Sequence, residues 1–114
     1  MRRGEIWVGN LNPTRGAEAG KVRPVLVLQA DFLTALGEPT IVVLPLTTQV
    51  RKEKEPLHVT IQARDRLEQT CQVIVEQPRT LDRRRLVIGP LTRLTTAEMT
   101  AVERSLLAVL GLYR

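Results

Sequence analysis

The sequence predicts a mainly β fold, an antiparallel barrel or sandwich with one helix packed on it. Three observations carry this. Short aliphatic runs of strand length recur along the chain, separated by stretches rich in Pro, Gly and Asn or in charge. Only the segment from Thr95 onward holds apolar residues at sustained helical spacing. Aromatic residues make up 3% of the 114, so the core has to be built from Val, Leu and Ile, and the branched ones suit a pleated surface.

Gly4 to Val8 reads as the first strand, and residues 10–20, with their Asn, Pro and Gly, as a long mobile loop. The run Val25-Leu26-Val27-Leu28 to Gln29 is continuously apolar, as a strand buried on both faces is. Pro24 cannot donate to a ladder, which places it at that strand's first residue. It also holds Arg23 extended, where a loop enters the sheet. Arg23 is then either a stiffly aimed functional group or one of 17 basic residues solvating a strand end. Ala30 to Leu36 predicts a short helix capped by Asp31 and stopped by Gly37. Thr40 to Leu46 is the third strand, closed by Thr47-Thr48-Gln49.

In Arg51 to Pro56 the charges mostly cancel, which predicts a solvated hairpin tip. Leu57 to Ile61 alternates like a half-exposed strand, and Ala63 to Thr70 predicts a turn or one helical turn. Cys71 to Gln77 is a further strand ended by Pro78, and Leu86 to Leu91 the last. Thr95 and Glu98 match a capping box, which satisfies two orphan backbone donors at a helix start. Met99, Val102, Leu106, Val109, Leu110 and Tyr113 then form one apolar face, and Gly111 marks the fraying end.

The length predicts one domain spanning residues 1–114. A net charge of +5 and a pI near 10.3 favour an anionic partner, nucleic acid or an acidic protein. Scarce aromatics argue against reading bases by stacking on several rings. One cysteine, Cys71, excludes an internal disulfide and fits a reducing cytoplasm. No apolar run reaches membrane-span length, and no signal core follows the charged N-terminus. No metal-ligand spacing and no phosphate-binding glycine loop is present, so neither metal nor cofactor is expected. His58 is the only histidine, excluding a two-histidine acid–base pair within one chain, and reads as structural. Arg83-Arg84-Arg85 is either a phosphate contact or a solvated face. Polar groups stand at loop or strand ends in three further places: Glu18; Thr47 and Thr48; Glu76, Gln77 and Arg79.

At these positions the chain resembles the MazF/PemK (Kid) family of toxins from bacterial toxin–antitoxin pairs. The resemblance is carried by Arg3-Gly4-Glu5-Ile6-Trp7, Asn12-Pro13-Thr14-Arg15-Gly16-Ala17-Glu18, Arg23-Pro24-Val25-Leu26-Val27, Pro45-Leu46-Thr47-Thr48 and Glu76-Gln77-Pro78-Arg79-Thr80-Leu81-Asp82. It implies an SH3-like barrel of the plasmid-toxin type with a C-terminal helix, usually a homodimer. It also implies metal-independent cleavage of single-stranded RNA, and neutralisation by a MazE-like antitoxin whose acidic, flexible tail lies in the RNA groove. Arg23 and Thr47 match the family's catalytic arginine and hydroxyl, and Glu18 its loop carboxylate. Glu76, Gln77 and Arg79 match its segment near the substrate. Thr48, Gln49, Arg15 and Arg83 to Arg85 complete the expected RNA contacts. Many relatives carry Ser and Gln on either side of the loop glutamate, where this chain has Ala17 and Ala19. PemK-type members have Asp at Glu76 and Arg at Ile74, so the MazF-like pair of Arg23 and Thr47 is the closer match.

Metal-free RNA cleavage uses the substrate's 2′-hydroxyl as nucleophile and leaves a 2′,3′-cyclic phosphate and a 5′-hydroxyl. It needs a base, a proton for the leaving oxygen and stabilised phosphoryl charge. Arg23 suits the last task, because its fork binds two phosphate oxygens. With a reference pKa of about 12.5–13.8, it is a poor base at neutral pH. Glu18 is therefore expected to take the 2′ proton, with Thr47 donating to a phosphoryl oxygen. The rival readings are a CcdB-like gyrase poison, disfavoured because the chain ends Gly111-Leu112-Tyr113-Arg114 without a tryptophan, and a non-catalytic RNA-binding barrel.

Overall fold

A computed structural model describes residues 1–112. Its strands are β1 (Glu5–Asn10), β2 (Val22–Val27), β3 (Thr40–Thr47), β4 (Val59–Ile61), β5 (Cys71–Val73), β6 (Arg79–Asp82) and β7 (Leu86–Arg93). Two α-helices, α1 (Asp31–Ala35) and α2 (Thr96–Val109), and two 3₁₀ turns, Lys52–Lys54 and Arg83–Arg85, complete it. The strands pair antiparallel in the order β4-β5-β3-β2-β1-β7, with β6 also against β3. The sheet curls into a half-barrel carrying α2.

From Val25 onward in β2 and through the middle of β3 the sheet is buried on both faces, which is why these strands read as unbroken apolar runs. Leu26, Leu44 and Leu46 point into one core with Ile6, Ile61, Val73 and α2. Val25, Val27, Ile41 and Val43 point into a second with Leu11, Leu81 and Leu86. Adjacent residues thus feed opposite cores, as the two-residue period of a strand requires.

Several expectations change on contact with the fold. β2 begins at Val22, so Pro24 is its third residue rather than its first. Pro24 pairs with Val8, while pairing with β3 begins only at Val25↔Pro45. It therefore lies where β2 has a neighbour on one side only, which tolerates a missing N–H. The strand stops at Val27 because the amides of Leu28 and Gln29 both donate to the Val42 carbonyl, at 3.0 and 3.1 Å. At α1 the cap position is Ala30, with no side-chain bond. Asp31 instead accepts from the Arg3 amide at 2.8 Å, tying the N-terminus to this helix.

Of the predicted strand from Cys71 to Gln77 only β5, Cys71–Val73, is strand, and the next strand, β6, begins beyond Pro78. Leu46 pairs with Val73 and Val43 with Arg79, so β3 advances three residues while its partner advances six. Three extra residues are looped out between β5 and β6, and this bulge carries Glu76, Gln77 and Pro78. β6 itself escaped the sequence reading, because Arg79-Thr80-Leu81-Asp82 has a single apolar residue. Residues 63–70 form a turn bridged by Arg64 and Leu67.

The capping box at α2 is present: the Glu98 amide donates to the Thr95 hydroxyl at 3.1 Å, and Glu98 accepts the Thr95 amide at 2.8 Å. Glu98 also takes both terminal nitrogens of Arg64, at 2.6 and 2.8 Å. That guanidinium holds its carboxyl below the ordinary glutamate range. Met99, Val102, Leu106 and Val109 pack on the first core as expected. Leu110 does not; it is 52% exposed. Tyr113 lies outside the described residues.

Candidate active site

Arg23 enters from β2 beside the end of β3. Its Nε donates to the Gly20 carbonyl at 2.7 Å and its Nη1 to the Leu46 carbonyl at 3.4 Å. No carboxylate pairs with it among the described residues. Two backbone acceptors thus fix the guanidinium without neutralising it, and an unneutralised fork is suited to an oxyanion. Thr47 follows Leu46 directly. Its hydroxyl accepts the Gln49 amide at 3.1 Å, which leaves its proton free to donate outward. Arg23, Thr47, Thr48 and Gln49 line one cleft of about 390 Å³.

Thr47 and Gln49 also line a second cleft of about 530 Å³ with Arg51, Lys54, His58, Gln72, Glu76 and Gln77. Ala17 and Gln77 lead from it to a third, of about 420 Å³, holding Glu18 and Arg79. The three clefts share lining residues in sequence and form one continuous groove.

The loop of residues 10–20, read as mobile, is pinned along its length. The Ala19 amide donates to Gln77 Oε1 at 2.7 Å, and Arg79 donates to the carbonyls of Ala19 and Pro13, each at 3.4 Å. Arg85 donates to the Asn12 carbonyl from the far side. Gln77 therefore spends an acceptor, and Arg79 and Arg85 donors, on holding this loop. Glu18 is exposed and accepts the Arg15 amide at 2.8 Å within its own turn. It lines the third cleft and not that of Arg23 and Thr47. The Arg15 side chain is exposed and lines none of the three clefts.

The arginine run lies elsewhere too. Arg83 donates to the Glu38 carbonyl at 3.3 Å. Arg84 makes a two-pronged pair with Asp82, both bonds at 3.0 Å, and holds that carboxyl down at about 2. None of the three arginines lines the groove.

Sequence reasoning missed five polar groove residues: Lys21, Arg51, Lys54, His58 and Gln72. His58 is 7% exposed, and its Nε2 lies 2.6 and 2.9 Å from the two carboxylate oxygens of Glu76. It is buried, as a structural histidine is, yet it turns the one carboxylate of the middle cleft. Cys71 is buried, which pushes its thiol up, away from reactivity. Among the described residues no three His, Cys, Asp or Glu side chains converge as a metal site would need, and no helix is long and apolar enough to cross a membrane.

Solved structures share this fold. MazF from Deinococcus radiodurans superposes with a TM-score of 0.82 at 24% identity, covering 97% of this chain and 96% of that one. The Mycobacterium tuberculosis toxin MazF-mt6 gives 0.77 at 22% identity, covering 96% and 99%. An endoribonuclease from a mycobacterial species, solved with its cognate antitoxin, gives 0.76 at 23% identity, covering 100% and 98%. The sequence matches the PemK-like, MazF-like toxins of type II toxin–antitoxin systems over residues 2–110. With a family match that runs nearly end to end and a fold shared with solved toxins, the chain belongs to the MazF/PemK toxin family.

Proposed function

We propose that this toxin is a metal-independent endoribonuclease acting on single-stranded RNA, with residues 1–114 as one catalytic domain. The observation that carries this reading is the Arg23–Thr47 cleft: a guanidinium anchored on two carbonyls, paired with no carboxylate, beside a hydroxyl free to donate. Such a pair meets the charge that builds on a phosphoryl group as the 2′-oxygen attacks. The 2′-oxygen forms the new bond to phosphorus, the bond to the 5′-oxygen breaks, and that oxygen takes up a proton. The products are a 2′,3′-cyclic phosphate and a 5′-hydroxyl.

Arg23 clamps the phosphate and Thr47 donates to a phosphoryl oxygen. Glu18, one cleft removed, takes the 2′ proton only from RNA lying along the whole groove. The looped-out Glu76 and Gln77 face the bases, and cleaved mRNA halts translation and growth. The mycobacterial relative is an endoribonuclease solved with its cognate antitoxin, which supports both the activity and an antitoxin partner for this chain. A MazE-like acidic tail fits a groove in a protein of charge +5. The setting is the cytoplasm, where the RNA is.

A homodimer completes the reading. Ile88, Val8 and Pro24 stand in register across β7, β1 and β2. Ile88 is 49% exposed and Val22 57%, so apolar side chains on this face stand open to solvent. The decisive experiment is incubation of pure protein with labelled RNA in EDTA. Cut RNA with cyclic-phosphate ends supports the proposal. Intact RNA that is nonetheless bound would leave a non-catalytic RNA-binding barrel.

A further inference from the structure

Gln72 is 1% exposed in a core otherwise built of aliphatic side chains. A buried amide is costly unless its polar atoms are bonded, and a valine would suit the position better on packing alone. Its bonds show what it holds. Oε1 accepts the Arg51 amide at 3.2 Å, and Nε2 donates to the Arg51 carbonyl at 3.0 Å and lies 3.3 Å from the Thr60 hydroxyl. The side chain clamps both polar groups of one residue in the 51–58 segment.

Gln72 is also the cross-strand partner of Thr47. Directly paired residues project from the same face, so the clamp hangs Arg51 beside the Thr47 hydroxyl. The 3₁₀ turn Lys52–Lys54 follows, closed by the Lys54 amide on the Arg51 carbonyl at 3.1 Å and the His58 amide on the Lys54 carbonyl at 2.8 Å. Ser105 of α2 holds the far end through the Pro56 carbonyl at 3.0 Å. Arg51 and Lys54 are exposed on the middle cleft. Neither side chain has an ion-pair partner among the described residues. Glu55, which might have neutralised them, accepts from Thr60, and Glu76 is turned onto His58.

We propose that Arg51 and Lys54 form a second phosphate-binding subsite next to the Arg23–Thr47 cleft, and that buried Gln72 is the positioning residue that holds them there. This rests on the ribonuclease reading for the identity of the ligand, a single strand with more than one phosphate. Arg23 engages the phosphate that reacts; Arg51 and Lys54 engage a neighbouring one that does not. They set how tightly RNA is held and not how fast the held strand is cut.

The test is binding of oligoribonucleotides made non-cleavable by a 2′-deoxy sugar at the cut site. A dinucleoside monophosphate carries only the central phosphate; a hexanucleotide carries its neighbours. Arg51→Ala with Lys54→Ala should weaken hexanucleotide binding at least tenfold and leave the dinucleotide unchanged. The slope of log K against log salt should fall by about 0.7, the share of the one phosphate the pair neutralises. Gln72→Val should give the same loss for the hexanucleotide, faster amide exchange over residues 51–58, and an unchanged single-turnover rate at saturating RNA. Both arginine–lysine side chains are exposed, so the double variant tests the subsite even if Gln72→Val fails to fold. Unchanged hexanucleotide affinity and slope in the double variant would overturn the subsite. Unchanged exchange and affinity in Gln72→Val would overturn the positioning role. Wild-type protein that binds the hexanucleotide yet never cuts RNA sinks the ribonuclease reading alone, whereas failure to bind either probe overturns both.

Discussion

Arg23 shows what a single side chain contributes when its surroundings fix it without neutralising it. Its anchors are carbonyls, so its full charge stays available to a phosphate. Arg23→Ala should therefore lose far more single-turnover cleavage than Thr47→Ala. Loss of one neutral donor costs about 10²–10³ in rate, so Thr47→Ala should retain trace activity. Arg23→Lys should not restore the rate, because one ammonium cannot keep both anchors and grip two oxygens. For Glu18, replacement by Gln reads the role directly. A base would leave a slow enzyme lacking the acidic limb of the pH–rate profile; a wild-type profile would show that Glu18 only positions RNA. That Arg23 and Thr47 stand together at one candidate cleft was legible in sequence, because they sit in runs of characteristic order. The His58–Glu76 pair was not: its members are 18 residues apart, and the fold alone joins them. The Arg83–Arg85 run misled in the opposite way, since sequence counts charges but cannot show that Asp82 and two carbonyls already occupy them.

Among the elements, β7 and α2 offer the clearest tests. A Cβ added to Gly89 would lie 2.3 Å from Cδ2 of Trp7, so the indole lies flat against the β7 backbone. A rigid ring cannot step aside, and Gly89→Ala should destabilise by about 1–3 kcal/mol, measured by denaturant unfolding. At the start of α2, Thr95→Ala removes the hydroxyl that takes the Glu98 amide. It should cost about 1 kcal/mol, or about 4 °C in melting temperature. Glu98 adds a pH dependence of definite sign. Its folded pKa lies below its unfolded value because Arg64 and the Thr95 amide favour the carboxylate. That stabilisation is complete above the ordinary range near 4.5 and drains away as the pH falls through the folded value. Glu98→Gln should be less stable at neutral pH and show a flatter acid limb in melting temperature against pH. The capping box, most of the strands and the helical face were readable because local propensity and burial agree there. β6 was not, since it is held through its backbone by β3 and needs no apolar signature of its own.

At the scale of the whole molecule, the uncovered Ile88–Val8–Pro24 face predicts self-association. Light scattering at micromolar concentration should give a dimer mass, and Ile88→Asp should give a monomer without lowering the melting temperature. The apolar face of α2 offers no comparable surface, since most of it is taken up by the first core. An acidic peptide should displace RNA from the groove, with an association rate that falls as salt rises; an antitoxin that binds without lowering RNA occupancy would require allosteric inhibition instead. The looped-out segment between β5 and β6 bears on how such a family diversifies. Its residues Glu76, Gln77 and Pro78 follow the Ile74 amide's bond to the Pro45 carbonyl and the buried Val75, so both of those anchors lie outside them. Residues 76–78 can be exchanged while both cores stay as they are, provided the bond Gln77 makes to the Ala19 amide is kept or replaced. Selection can thus rewrite what the groove reads at little risk to folding, and a designer could graft this segment from one relative onto another as a separable part.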